Sequence, residues 1–351
     1  MNDLRTPKER ITWIDLAKGI AMILVIMGHT LKEGLPLYFI YTFHMPLFFC
    51  LSTITSHFST DMNDYARTLK RSFVHLLLPA IVFWALHGIA YYTLFHSNLG
   101  SAGQYFKEQL LSLLWASGKN IKLSKIVVPM IGIFWFSFAL FIGRSILDYI
   151  HLKFGYSKAA LLSIIIGIAG VLIGQRISLP LSFDCALAIH PFLMLGMMLR
   201  EKKKDKASLL VFGASLLVWI LLMMLSIHIV GIRALNIALR DYPLFPICII
   251  VAVSGSVAFC EFSKYVSEIR WIKETSHVYR GLLFLGRNSL WLMCIHYMDG
   301  LWRPIYSHFD NDLLTVILRV VLDCAACFVF VLCMNKVVPV IKNRMSKREA
   351  L

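Results

Sequence analysis

Apolar runs of about 17–25 residues, the length that crosses a hydrocarbon core, recur along this chain from its first dozen residues to its last two dozen. In a bilayer each run must satisfy its own backbone hydrogen bonds, so each must be helical. Ten runs are read, at about 13–32, 35–57, 73–96, 129–151, 158–175, 181–200, 207–230, 243–262, 281–299 and 313–334. The second and ninth are interrupted by polar residues. The expected fold is an all-α polytopic membrane protein of about ten transmembrane helices. It forms one domain over 1–351, with short tails at 1–12 and 335–351. A composition 58% hydrophobic and 16% charged leaves too little polar surface for a soluble protein of this length.

The net charge of +15 is no nucleic-acid signature, because it is sorted by loop. With ten helices, the loops on the side of the N-terminus hold 24 Lys and Arg, and the opposite loops hold nine. The positive-inside rule then puts both termini in the cytoplasm. Gly28-His29-Thr30-Leu31-Lys32 does not resemble a small-residue cleavage site, so no cleavable leader is expected. The eight cysteines fall in apolar runs, and Cys324-x-x-Cys327 reads as two small apolar residues on one helix. The long connection at about 97–128 has a helical polar/apolar period over 104–115, as an amphipathic surface helix would. Gly170-x-x-x-Gly174 reads as a packing device.

With no soluble domain, any chemistry must use groups inside the bundle. Trp13-Ile14-Asp15-Leu16-Ala17-Lys18-Gly19, then Gly28-His29, place an acid, a base and an imidazole on the first helix. Lys18 and His29 are eleven residues apart, close to three turns, on nearly one face and about 16 Å apart along the axis. Ionisable groups at such depth mark function by default. Snorkelling to the headgroups is the rival role for Lys18, and helix capping for Asp15. His44, before Pro46, is expected near the depth of His29. Arg319 and Asp323, at i and i+4, are expected to neutralise each other. His57, His75, His87, His96, His151, His228, His277 and His308 are read as loop or helix-end residues and His190, before Pro191, as intramembrane, and no histidine spacing fits a metal site.

Four segments carry a family resemblance. They are Arg10-x-x-Trp13-Ile14-Asp15-x-x-Lys18-Gly19 with Gly28-His29; Phe43-His44-Met45-Pro46-Leu47-Phe48-Phe49; Phe134-Trp135-Phe136-x-x-Ala139-Leu140-Phe141; and Leu285-Gly286-x-Asn288-Ser289-Leu290 with His296. In this order they resemble the acyltransferase-3 family, most closely its fucose 4-O-acetylase-like branch. Thr53 stands after Ser52 where that family has glycine, a place where the backbone can need positive φ.

The resemblance implies transfer of an acyl group, usually acetyl, from cytoplasmic acyl-CoA to a carbohydrate hydroxyl on or beyond the far side of a bacterial inner membrane. Lys18 would then meet a CoA phosphate, with Asp15 and Arg144 beside the donor. His29 would act as base or as acyl carrier, since an imidazole of ordinary pKa near 6.5 suits hydroxyl activation. Ser52, Asn288 or backbone N–H groups are the oxyanion candidates. His44, Ser289 and His296 are candidates for lining the acceptor's path. The expected partners are acyl-CoA, a surface polysaccharide or lipid-linked sugar, and the bilayer, with no nucleic acid and no permanent cofactor. A glycan transporter whose polar residues line a path is the alternative, and a partner protein that keeps the fold without activity is a third.

Overall fold

The computed structural model describes residues 11–95, 99–123, 126–202, 206–302, 305 and 312–349, without the side chains of 312 and 338–349. Arg10 of the first motif, Lys125, Lys203, Lys204 and Arg303 of the loop charges, and His96 and His308 of the histidines lie outside the described residues. The named elements of the described residues are helices except for a short antiparallel pair, β1 (Ile121–Leu123) with β2 (Ile126–Val128), which the sequence reading missed. The amphipathic helix expected before it is α6 (Ala102–Trp115).

In chain order the other helices are α1 (Thr12–Gly28), α2 (Leu35–Tyr41), α3 (His44–Ile54), α4 (Met62–Ser72), α5 (Leu78–Phe95), α7 (Trp135–Gly174), α8 (Phe183–Ala188), α9 (His190–Glu201), α10 (Leu209–Val230), α11 (Ile247–Glu268), α12 (Arg270–Thr275), α13 (His277–Arg287), α14 (Ser289–Met298) and α15 (Asp312–Glu349). The final helix thus runs through the segment read as a short tail.

Among the described residues six segments are long and apolar enough to cross a membrane, or seven if the bent pair α8–α9 is one span. Length and composition therefore do not return the expected ten, and the difference falls at four places. Helix α1 has only 17 residues. The run expected at 281–299 breaks at Asn288, which leaves helical geometry at φ −110°, ψ 21°. Helices α8 and α9 bend by 55°, next to Pro191, whose ring clashes with the carbonyl four residues back in an unbroken helix. The runs expected at 129–151 and 158–175 are joined in α7, with Gly155 at φ 75°, ψ 177° between them. There the chain reverses: Gly143 packs on Ala186 and Ile189, while Gly167, Gly170 and Gly174 meet Pro191, Ala188 and Asp184 in descending order. The pair Gly170 and Gly174 is thus a packing device, as expected.

Helix α1 lies at the centre, packed on α3, α11, α13, α14 and α15. Gly19 lies against the Leu282 carbonyl and Gly286 against the Asp15 carbonyl, so the two backbones touch where α1 crosses α13. Helices α5, α10 and α15 are peripheral and present apolar side chains outward, such as Leu86, Leu217 and Val321.

Loops meet in two groups. At one end Ser59 binds Asp148, the Arg200 guanidinium covers the Phe58 ring, and Ala207 N–H donates to Glu268. At the other end Trp115 reaches Ser178, Lys119 reaches Leu239, and Arg240 pairs with buried Asp184.

Candidate active site

Helix α1 is unbroken from Thr12, and His29 N–H still bonds the Val25 carbonyl at 3.0 Å. Lys18 and His29 therefore keep their helical offset of about 16 Å. Helix α3 runs the other way beside it: its first residue, His44, lies at the level of His29, and Ser52 lies about 12 Å farther along. Pro46 explains why α3 starts there. A helix continued from α2 would press the proline ring onto the Thr42 carbonyl, and the chain instead breaks at Phe43, φ −143°.

Two cavities meet at His29. The first, the inner cavity, is about 370 Å³ and runs from Lys18, Arg71, His75 and Arg144 past Met22, Val25 and Phe48 to His29. The second, the outer cavity, is about 340 Å³ and runs from His29 to Tyr41, His44, Gly118, Met130 and the 235–239 loop. His29, Met45, Ile133 and Trp135 belong to both. His29 is exposed although it sits inside the bundle, because the surface it presents faces these cavities.

Their electrostatics differ. Three fixed cations and no carboxylate line the inner cavity. Like charges gathered on one wall favour a bound anion. The outer cavity is lined by no Lys, Arg, Asp or Glu. Its polar groups are His29, Tyr41, His44 and Asn236, among apolar walls.

Among the residues expected from sequence, Lys18, His29, Ser52, Arg144 and Ser289 line the inner cavity and His44 the outer. Ser52 Oγ accepts from Arg144 Nη1 at 3.2 Å, at the basic end of the inner cavity and away from His44. Asp15 lines neither cavity; it accepts from Arg287 Nε at 3.2 Å on the α1–α13 contact. Asn288 also lines neither: its Nδ2 donates to the Phe284 carbonyl at 2.9 Å, capping α13 at the helix break. Thr53 is ordinary buried helix without positive φ. It is Gly196 on α9 that makes the close approach, against the Cys50 carbonyl and Thr53.

His296 is buried behind His29, ring centroids 5.4 Å apart, and lines neither cavity. Its Nδ1 approaches Asp323 at 2.8 Å and Asp299 at 3.2 Å. Arg319 pairs with Asp299 at 2.5 Å and donates to the His29 carbonyl at 2.8 Å and Thr30 Oγ1 at 3.1 Å. The expected Arg319–Asp323 pair is thus replaced by two pairs across helices: side chains that distance in sequence separates come closer in the bundle than the helical neighbour does. One ligand atom from each of His296, Asp299 and Asp323 lies within 4.8 Å of the others. Arg319 already supplies the positive charge that a metal would bring there. Through Arg319 the cluster is tied to the backbone of His29.

Arg71 and His75 are cavity residues that the sequence reading counted only as loop charge and helix-end polarity. They flank the start of the π-turn Phe73–Leu77, a distortion frequent at functional sites. No motif marks Asn236 or the 235–239 loop.

Apolar helices thus enclose a cationic inner cavity and an uncharged outer one that share an imidazole. Residues 11–335 match the family model described as an acyltransferase domain, and the chain belongs to the acyltransferase-3 family. It is a membrane acyltransferase. No curated protein and no solved structure matches the chain.

Proposed function

We propose that the protein moves an acyl group, acetyl, from cytoplasmic acyl-CoA to a hydroxyl of a surface glycan or lipid-linked saccharide, across a bacterial inner membrane. The supporting observation is that, among the described residues, His29 is the titratable one that lines both cavities. A polyanionic donor suits the cavity with Lys18, Arg71 and Arg144, and its pantetheine arm spans the helical distance of about 16 Å to His29. A neutral hydroxyl suits the cavity without fixed charge. In this reading the chain crosses ten times, with α1, both halves of α7, α8–α9 and α13–α14 as crossings, and both termini lie in the cytoplasm. In this reading the chain is also of the fucose 4-O-acetylase-like branch of its family, on the motifs that resemble it. His29 acts at the junction as base or as acyl carrier.

The test is mass spectrometry of surface polysaccharide from cells expressing the wild type or His29→Ala. The acetyl mass increment is expected in the wild type and absent from the variant. An undiminished increment with well-expressed variant protein sinks the assignment.

A further inference from the structure

His44 and His29 differ in what holds their rings. The Ile40 carbonyl lies 2.8 Å from His44 Nδ1. A carbonyl oxygen only accepts, so Nδ1 carries the proton and neutral His44 presents Nε2 as a lone pair. The described residues give that Nε2 no hydrogen-bond partner, and the ring lines the outer cavity. The mount is rigid. Phe43, one residue earlier, is fully buried against Trp219 and Phe259 at 5.0 and 5.1 Å, and Trp219 Nε1 donates to Thr42 Oγ1 at 3.2 Å. His29 has its backbone anchored by Arg319, but among the described residues nothing hydrogen-bonds its ring. General-base catalysis rewards an oriented lone pair within reach of the proton, and His44 is the oriented one.

We propose that His44 is the base that takes the proton from the acceptor hydroxyl in the outer cavity, while His29 serves the donor. This deepens the acyl-transfer reading and rests on it. In the step, the acceptor O–H breaks and its proton goes to His44 Nε2 as the oxygen bonds the acyl carbon. The acyl C–S bond breaks and the thiolate departs into the inner cavity. The proton returns through His29, the imidazole common to both cavities, to the thiolate sulfur, so that free thiol and ester are the products. Substituting His44 therefore impairs attack by a hydroxyl and spares attack by a nucleophile that needs no base.

The experiment uses membrane vesicles from expressing cells, radiolabelled acetyl-CoA, and two acceptors: the native glycan of the vesicles, and hydroxylamine, whose neutral nitrogen attacks without a base. His44→Asn retains an amide N–H where Nδ1 meets the Ile40 carbonyl and removes Nε2. Label transfer to glycan is expected to fall about 10²–10⁴-fold, the usual worth of a general base, with hydroxamate formation within about threefold of wild type. Imidazole added to His44→Ala is expected to restore glycan labelling, which a purely structural histidine would not permit. Equal loss of both reactions in His44→Asn, or loss of neither, overturns the assignment. His29→Ala separates the underlying reading: if that variant still makes both products, the acyl-transfer role of His29 has failed, whatever His44 does.

Discussion

Arg319 joins most of the buried charge behind the candidate site: it neutralises Asp299, which shares His296 with Asp323, and it holds the His29 carbonyl. Removing one partner of a buried pair leaves the other uncompensated. Arg319→Ala is expected to cost about 3–5 kcal/mol, read as a clear fall in the melting temperature in detergent, together with loss of acetyl transfer. Asp15 offers the contrast. Its partner Arg287 is 45% exposed, and such pairs contribute about 0–1 kcal/mol. Asp15→Asn is accordingly expected to leave stability and the KM for acyl-CoA nearly unchanged. Lys18→Ala should raise that KM about 10–100-fold, the loss of one hydrogen bond to a charged group. An unchanged KM would reduce Lys18 to a membrane anchor. Residue identity and spacing singled out Lys18, His29, His44, Ser52, Arg144 and Ser289, all of which line one or both of the cavities. The same motifs singled out Asp15, Asn288 and His296, which line neither cavity and are engaged by Arg287, the Phe284 carbonyl and Asp323; a motif does not say which neighbour a side chain meets.

At the scale of elements, the informative events are the helix breaks. Pro46 and Pro191 interrupt helices for a reason visible in sequence, the missing N–H and the clash with the carbonyl four residues earlier. Gly155 and Asn288 carry weaker signals, since either residue is tolerated within a helix. The Thr53 position is an element-scale matter as well. Because Gly196 supplies the close contact between α3 and α9, restoring the family residue gains nothing. Thr53→Gly is expected to destabilise by about 0.5–1 kcal/mol from backbone entropy alone, without raising activity. Gly196→Val should be far worse, pressing a branched side chain onto the Cys50 carbonyl; thermal melts of the two purified variants compare them directly.

For the whole molecule, the proposed topology makes the two cavities face opposite compartments. Single cysteines placed at Lys119 and Lys206, with exposed Cys333 replaced, test this with a membrane-impermeant thiol reagent. Intact cells should label the first position, and the second should react only after permeabilisation. Labelling of both from outside would remove the cytoplasmic supply of donor from the mechanism. Two-sided access also makes a folding demand. The chain must hold a continuous path open at His29 while the surrounding helices pack closely enough, as at Gly19 and Gly286, to keep that path from becoming a leak.

Composition and run length alone determined that the chain is helical and suited to a membrane, since a bilayer leaves the backbone no other way to satisfy its hydrogen bonds. Helical periodicity alone set Lys18 and His29 on one face, because their offset depends only on an unbroken helix. Where the polar groups found partners was decided by the tertiary structure. Whether His296 meets Asp323, or Arg319 meets Asp299 instead of its helical neighbour, depends on which helices touch and at what height. The Lys18-x10-His29 spacing therefore began as a distance along one helix. The fold made it the length of a cationic cavity that ends where an uncharged one begins.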